Sequence, residues 1–163
     1  MKCRLCPLKL DRVHLCFVCS GNICRSPMAA LVFGEHLRRA GLDGDVEVTS
    51  AGIGGWHVGE QADSRARKAL AGAGYPTGHA AAQVGPAHLD ADLLLAMDSG
   101  HHAALVDLVG PDRVRMFRSF DPAADGDLDV PDPYYGQRDG FTEVLAMIEA
   151  ATPGLLDWVR EHR

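Results

Sequence analysis

Residues 13–18, Val-His-Leu-Cys-Phe-Val, form a short apolar run in which His14 is the one strongly polar member. The run does not alternate polar with apolar, so as a strand it needs cover on both faces. Helices in crossover connections supply that cover, and crossovers make the strands parallel. The remaining sequence agrees. Ser26-Pro27 opens a helix, with serine as the cap and proline at the first helical position. Ala30, Phe33 and Leu37 follow at helical spacing, and Gly41 is the stop. Residues 46–49 read as a second strand closed by Ser50-Ala51-Gly52, and residues 53–61 as a Gly-rich loop carrying Trp56 and His57. Asp63 is placed to cap a helix with Ala66, Ala69, Leu70 and Ala73 on one face. Residues 93–97 form a strand almost without polar side chains. Ser99 starts a helix with His102, Leu105, Val106 and Val109 at i, i+3, i+4 and i+7, and residues 113–117 form a shorter strand. Residues 119–138 are a long loop rich in Asp, Pro and Gly, and loops of that length in compact domains tend to be functional or disordered. The last helix aligns Phe141, Val144, Leu145 and Ile148. Leu155, Trp158 and Val159 continue the stripe beyond Pro153-Gly154, where a kink is expected. The pattern predicts an α/β fold, with a central four-stranded, mostly parallel sheet flanked by helices on both faces.

The 163 residues suit a single domain, residues 13–163, with residues 1–12 an appended arm read as mobile. Apolar residues are 47% and charged residues 23%, ordinary for a globular chain and unlike disordered or collagen-like sequences. The net charge of −6 is opposite in sign to that of proteins that grip nucleic acid or anionic membrane, so neither is an expected partner. Lys2, Arg4, Lys9, Asp11 and Arg12 interrupt any apolar N-terminal run, and no stretch approaches the ~18 apolar residues of a membrane span. The expected location is the cytoplasm, with export by a signal-less route left open. All five cysteines, Cys3, Cys6, Cys16, Cys19 and Cys24, lie at one end of the chain. An odd, crowded set is no disulfide framework and points to a reducing compartment and a local use of sulfur. Cys3-Arg4-Leu5-Cys6 is a single C-x2-C without a second pair, and the eight histidines form no H-E-x-x-H pattern. No metal site and no cofactor are expected.

The informative segment is Cys19-Ser20-Gly21-Asn22-Ile23-Cys24-Arg25-Ser26-Pro27, a phosphate loop expected after the first strand, where an open α/β sheet places its ligand. A tight loop entering a helix turns its backbone N–H groups inward, and with the helix dipole these make an anion site of phosphate size. Gly21 and Asn22 tolerate the left-handed backbone such a loop needs. Arg25 carries a planar fork suited to two phosphate oxygens. Thiols beside a guanidinium and a helix N-terminus ionise readily. A thiolate at Cys19 beneath a bound phosphorus atom is the arrangement for phosphoryl transfer to sulfur. The Ser26 hydroxyl is placed to stabilise that sulfur as a leaving group. Expelling a phenolate also calls for an acid. Asp132 stands between Pro131 and Pro133, which stiffen it and bias it toward extended backbone. Trp56, Tyr134 and Tyr135 are the aromatics suited to wall a deep slot. Asp98, at the C-terminal end of a predicted strand, faces the same sheet edge.

These residues resemble the low-molecular-weight protein tyrosine phosphatase family. Its C-x-G-N-x-C-R-S-P signature is met at every defined position of residues 19–27. The resemblance continues through Ser50-Ala51-Gly52, Trp56-His57-Val58-Gly59, Met97-Asp98 and Asp132-Pro133-Tyr134-Tyr135-Gly136, covers roughly residues 12–160, and is strongest to bacterial, actinobacterial-type members. It implies a metal-independent hydrolase with Cys19 as nucleophile, Arg25 as phosphate clamp and Asp132 as general acid and base. Ser20, Gly21, Asn22, Ile23, Cys24, Arg25 and Ser26 would surround the phosphate. Asn22 and Ser50, with His79, match a hydrogen-bond network that holds the loop, and Cys24 matches a second cysteine that traps an oxidised nucleophile as a reversible disulfide. The implied partners are phosphotyrosine-containing proteins, with inorganic phosphate as product and inhibitor. The implied state is a monomer or weak dimer, and the implied setting is signalling.

Three other functions are compatible with such a fold. Arsenate reductase on a similar fold relays oxidation to further cysteines, and no cysteine follows Cys24. A protein arginine phosphatase typically has Thr at the position of Ile23 and an altered aromatic pair after Asp-Pro, so Ile23 and Tyr134-Tyr135 favour phosphotyrosine. A non-catalytic phosphotyrosine-binding module would be expected to have lost Cys19 or Asp132.

Overall fold

The computed structural model describes residues 12–136 and 140–163. Residues 1–11 of the expected arm, with Cys3 and Cys6, lie outside the described residues. Four strands, β1 (Val13–Cys19), β2 (Val46–Gly52), β3 (Leu93–Ala96) and β4 (Val114–Met116), form one sheet in the order β2-β1-β3-β4, and each of the three pairings is parallel. The helices are α1 (Arg25–Arg39), α2 (Ser64–Gly72), α3 (Pro86–Leu89), α4 (Ser99–Val109) and α5 (Gly140–His162). Short 3₁₀ turns occupy Phe117–Phe120 and Pro133–Tyr135.

The unalternating composition of β1 is explained by two cores. Leu15, Phe17 and Cys19 point into the larger, which α1, α2 and α5 cover, while Cys16 and Val18 point into the smaller, beneath α4. Phe17 meets Phe117 edge-on at 5.3 Å and Phe33 at 6.0 Å, so β1 is pinned both to α1 and to the Phe117–Phe120 turn far along the chain. Burial of Cys16 pushes its thiol up to about 11, in keeping with a packing role.

Strand order decides where a site can form. After β1 the chain moves outward to β2, then crosses back to place β3 on the other side of β1. The segments that follow β1 and β3 diverge there, which leaves a crevice at the C-terminal strand ends.

Several local expectations are corrected. Ser26 is not the cap of α1: the helix starts at Arg25, Cys24 holds the cap position without a side-chain bond, and Ser26 turns its hydroxyl to Cys19 instead. The left-handed residue of the loop is Asn22, at φ 59°, and Gly21 has no positive φ. Strand β2 continues through Ser50-Ala51-Gly52 rather than stopping before it. Helix α3, four residues long, is too short to leave a periodic signal. Ala73 is exposed rather than on the buried face of α2, and on α4 the buried imidazole is His101, with His102 half-buried. Asp63 does cap α2, accepting from the Arg65 N–H at 2.8 Å.

Candidate active site

The loop of residues 20–24 leaves β1 and enters α1 at the crevice. Among the described residues, none of the backbone N–H groups of Ser20, Gly21, Asn22, Ile23 and Cys24 finds a hydrogen-bond acceptor in the protein. Five consecutive donors without a carbonyl are costly unless an anion or water takes them. The loop keeps this shape because Asn22, fully buried, braces it from inside. Its Nδ2 donates to Ser26 Oγ at 2.8 Å and to Ser50 Oγ at 3.0 Å, and its Oδ1 accepts from Ala82 N–H at 2.9 Å. His79 Nε2 donates to the Asn22 carbonyl at 2.7 Å, and burial holds that imidazole below its ordinary range. Gly52 backs the loop closely: a Cβ there would stand 2.8 Å from the Ser20 carbonyl oxygen.

Cys19 Sγ, buried at the end of β1, lies 2.8 Å from Ser26 Oγ. Asn22 Nδ2 donates to that oxygen, so the Ser26 hydroxyl proton is available to the sulfur. Cys24 is also buried. Burial, then Asp63, Cys19 and Asp132, push its thiol up to about 12.

Arg25 is buried at the start of α1. Its Nη1 donates to Asp98 Oδ2 at 2.9 Å and to the Val130 carbonyl at 3.0 Å. Its Nη2 makes looser contacts, with Ser20 Oγ at 3.4 Å and Asp132 Oδ2 at 3.6 Å. Asp98 also caps α4 by accepting from His101 N–H at 3.0 Å. Burial raises the carboxyl of Asp98, but the His101 N–H, the His101 ring and Arg25 outweigh this, and the net effect is below the ordinary range.

Asp132 has extended backbone (φ −77°, ψ 111°), as the following proline requires, and its Oδ1 accepts from Tyr134 N–H at 3.0 Å. The pocket, about 380 Å³, is lined by Cys19, Arg25 and Asp132 and walled by Trp56, Tyr134 and Tyr135. Trp56 is 72% and Tyr135 86% exposed, and Tyr134 packs edge-on against Tyr135 at 4.9 Å. The indole of Trp56 folds over Gly54, where a Cβ would come within 2.1 Å of the ring.

The phosphate-loop, acid, wall and supporting residues read from the sequence therefore converge here. Cys19, Ser20, Gly21, Ile23, Cys24, Arg25, Asp132 and the three aromatics line the pocket, while Asn22, Ser26, Ser50, His79 and Asp98 stand behind it. Two participants were not legible. The Val130 carbonyl is a backbone acceptor with no sequence signature. His101 has only its place three residues after a helix cap to suggest it. Among the described residues no cluster of three or more His, Cys, Asp or Glu side chains could hold a metal ion, and no helix is long and apolar enough to cross a membrane.

A parallel α/β sheet with an anion-shaped loop, a thiol and an arginine at its switch point defines a class of protein that handles phosphate groups. Comparison narrows it. Residues 14–163 match the family described as low molecular weight phosphotyrosine protein phosphatase. The chain is 58% identical over 154 residues to the low molecular weight protein-tyrosine phosphatase A of Mycobacterium tuberculosis, covering 93% of this chain and 94% of that protein. Among solved structures it resembles a protein tyrosine phosphatase from Entamoeba histolytica, with a TM-score of 0.87 and 32% identity over 92% of this chain and 98% of that one. It also resembles the YwlE arginine phosphatase, with a TM-score of 0.81 and 29% identity over 93% and 98%. The chain belongs to the low-molecular-weight protein tyrosine phosphatase family, hydrolases that act on phosphoproteins.

Proposed function

We propose that the chain hydrolyses phosphotyrosine in proteins by way of a cysteinyl phosphate on Cys19. The observation that carries this reading is the floor of the pocket: a buried thiol with a hydroxyl donor at 2.8 Å, beneath a loop whose N–H groups lack protein acceptors. The phosphate sits on the loop amides and the Arg25 guanidinium. Cys19 Sγ attacks phosphorus in line as the bond to the phenolic oxygen breaks, and Asp132 gives that oxygen a proton. In the second half Asp132 takes a proton from a water that attacks phosphorus. The S–P bond breaks, and the Ser26 hydroxyl steadies the departing thiolate. Arg25 and the amides stabilise the equatorial oxygens through both transition states. No step calls for a metal, and the phosphate released competes for the same loop. Cys24 is the thiol placed to condense with a sulfenic acid on Cys19, releasing water and forming a disulfide, and the burial that pushes it up to about 12 slows that step because the thiolate is the attacking form.

Trp56, Tyr134 and Tyr135 support an aromatic substrate, as does Ile23. The structural likeness to YwlE keeps phosphoarginine as the second reading. Hydrolysis of p-nitrophenyl phosphate should persist in EDTA, vanish in Cys19→Ser, and fall by about 10²–10⁴ in kcat for Asp132→Ala. Activity surviving in Cys19→Ser would refute the mechanism. Faster turnover of phosphoarginine than of phosphotyrosine peptides would transfer the assignment to the second reading.

A further inference from the structure

Arg25 is held from behind by a closed ring of side chains. Nη1 donates to Asp98 Oδ2 at 2.9 Å and Nη2 to Ser20 Oγ at 3.4 Å. Ser20 Oγ lies 2.9 Å from His101 Nε2, and His101 Nδ1 lies 3.1 Å from Asp98 Oδ1, which closes the circuit. His101 is only 6% exposed. Its Nδ1 is buried and makes no in-line hydrogen bond, so its contact with Oδ1 is an oblique one between an N–H dipole and a carboxylate. Oδ1 is already engaged by the His101 backbone N–H at 3.0 Å.

The proton positions follow from chemistry. A carboxylate only accepts, so the tautomer with its hydrogen on Nδ1 faces Asp98 favourably, whereas the other would aim a lone pair at the anion. Nε2 is then an acceptor and takes the Ser20 hydroxyl proton. The serine lone pairs are left for Arg25. Arg25 to Ser20, Ser20 to His101 and Arg25 to Asp98 are then hydrogen bonds, and the His101 Nδ1–H faces Asp98 obliquely. The scheme needs a neutral imidazole. Burial supplies it by holding His101 below its ordinary range, against the opposing pull of Asp98.

We propose that His101 is a positioning residue, which through Ser20 and Asp98 holds the Arg25 guanidinium ready for the phosphate. This rests on the reading of Arg25 as the phosphate clamp. Without the imidazole, the Ser20 hydroxyl turns freely and Asp98 loses its second neighbour. The Nη2 end of the guanidinium is then drawn to Asp132, 3.6 Å away across the pocket. A clamp that must be recovered from a competing carboxylate binds phosphate less tightly, because ordering is then charged to the binding step.

The test measures binding of inorganic phosphate, by calorimetry and as competitive inhibition of p-nitrophenyl phosphate hydrolysis, in His101→Ala, Ser20→Ala, the double variant and His101→Gln. Each single alanine variant should weaken phosphate binding about tenfold, the effect of one charge-assisted hydrogen bond. The double variant should be no weaker than the worse single one, because the ring acts as a unit. His101→Gln, whose amide both accepts from Ser20 and donates to Asp98, should return to within about threefold of wild type. Phosphate affinities of both alanine variants within twofold of wild type would overturn the proposal, as would losses that multiply in the double variant. If His101→Ala fails to fold, Ser20→Ala and His101→Gln decide the matter on the same scale. The catalytic reading fails separately, through hydrolysis surviving in Cys19→Ser, which leaves phosphate binding to the ring as its own measurement.

Discussion

At the scale of single residues, the loop depends on Asn22 more than on either of its cysteines. Asn22 combines a left-handed backbone with a side chain that bonds Ser26, Ser50 and Ala82. Glycine would accept the backbone but make none of those bonds, and alanine would fail on both counts. Asn22→Gly should therefore cost about 2–3 kcal/mol in urea unfolding, from two or three lost buried hydrogen bonds. Asn22→Ala should cost about 1 kcal/mol more, for the left-handed conformation. Both should lower kcat/KM for p-nitrophenyl phosphate, since Ser26 would lose the donor that orients its hydroxyl toward Cys19. Equal stability of the two variants would show that backbone strain is not part of the design.

At the scale of elements, two helical glycines make opposite demands. Gly154 in α5 lies against the Phe117–Phe120 turn, where a Cβ would stand 2.2 Å from the Phe120 carbonyl oxygen. Gly34 in α1 has nothing within 4 Å of its Cβ position. Alanine is the better helix former by about 1 kcal/mol at both sites. Gly34→Ala should gain up to about that amount in chemical denaturation. Gly154→Ala should lose about 1–2 kcal/mol, because overpacking outweighs propensity. A gain at both positions would mean that α5 shifts away from the turn at little expense. The turn leads into the segment whose Val130 carbonyl holds Arg25, so the fit of α5 bears on the site as well as on stability.

At the scale of the whole molecule, pH should act on stability in two windows. Burial, as the leading cause, holds His79, His88 and His101 below the ordinary imidazole value of 6.5. As pH falls, the unfolded chain takes up these protons first. Their contribution is therefore full above about 6.5 and is lost progressively below it. Asp63, bonded first to the Arg65 side chain, and Asp98 both lie below the ordinary carboxyl value of 3.8. Their contribution is full above that value and is lost only as pH falls further. Urea unfolding should thus give lower stability at pH 5 than at pH 7.5, with a second loss below pH 4, and His79→Gln should flatten the first slope. A profile that is level between pH 7.5 and 5 would contradict the assignment of these imidazoles as neutral in the fold.

What the sequence determined by itself was the fold class and the chemistry-bearing residues. The apolar run at Val13 demanded cover on both faces of a sheet, and the two cores around β1 supply it. The nine residues from Cys19 to Pro27 could be read because a loop, a helix entry and a reactive thiol impose composition locally. Position inside that loop was less legible: Ser26 looks like a cap, yet tertiary contact with Cys19 and Asn22 claims its hydroxyl. What only the tertiary structure decided was which distant groups meet. Strand order β2-β1-β3-β4 sets β3 beside β1, and this alone carries Asp98 and His101 to Arg25 and Ser20, more than seventy positions away in the chain. Local pattern encodes how each segment folds. The pairing of segments is settled by packing of the whole, and the ring behind Arg25 exists only once that packing is complete.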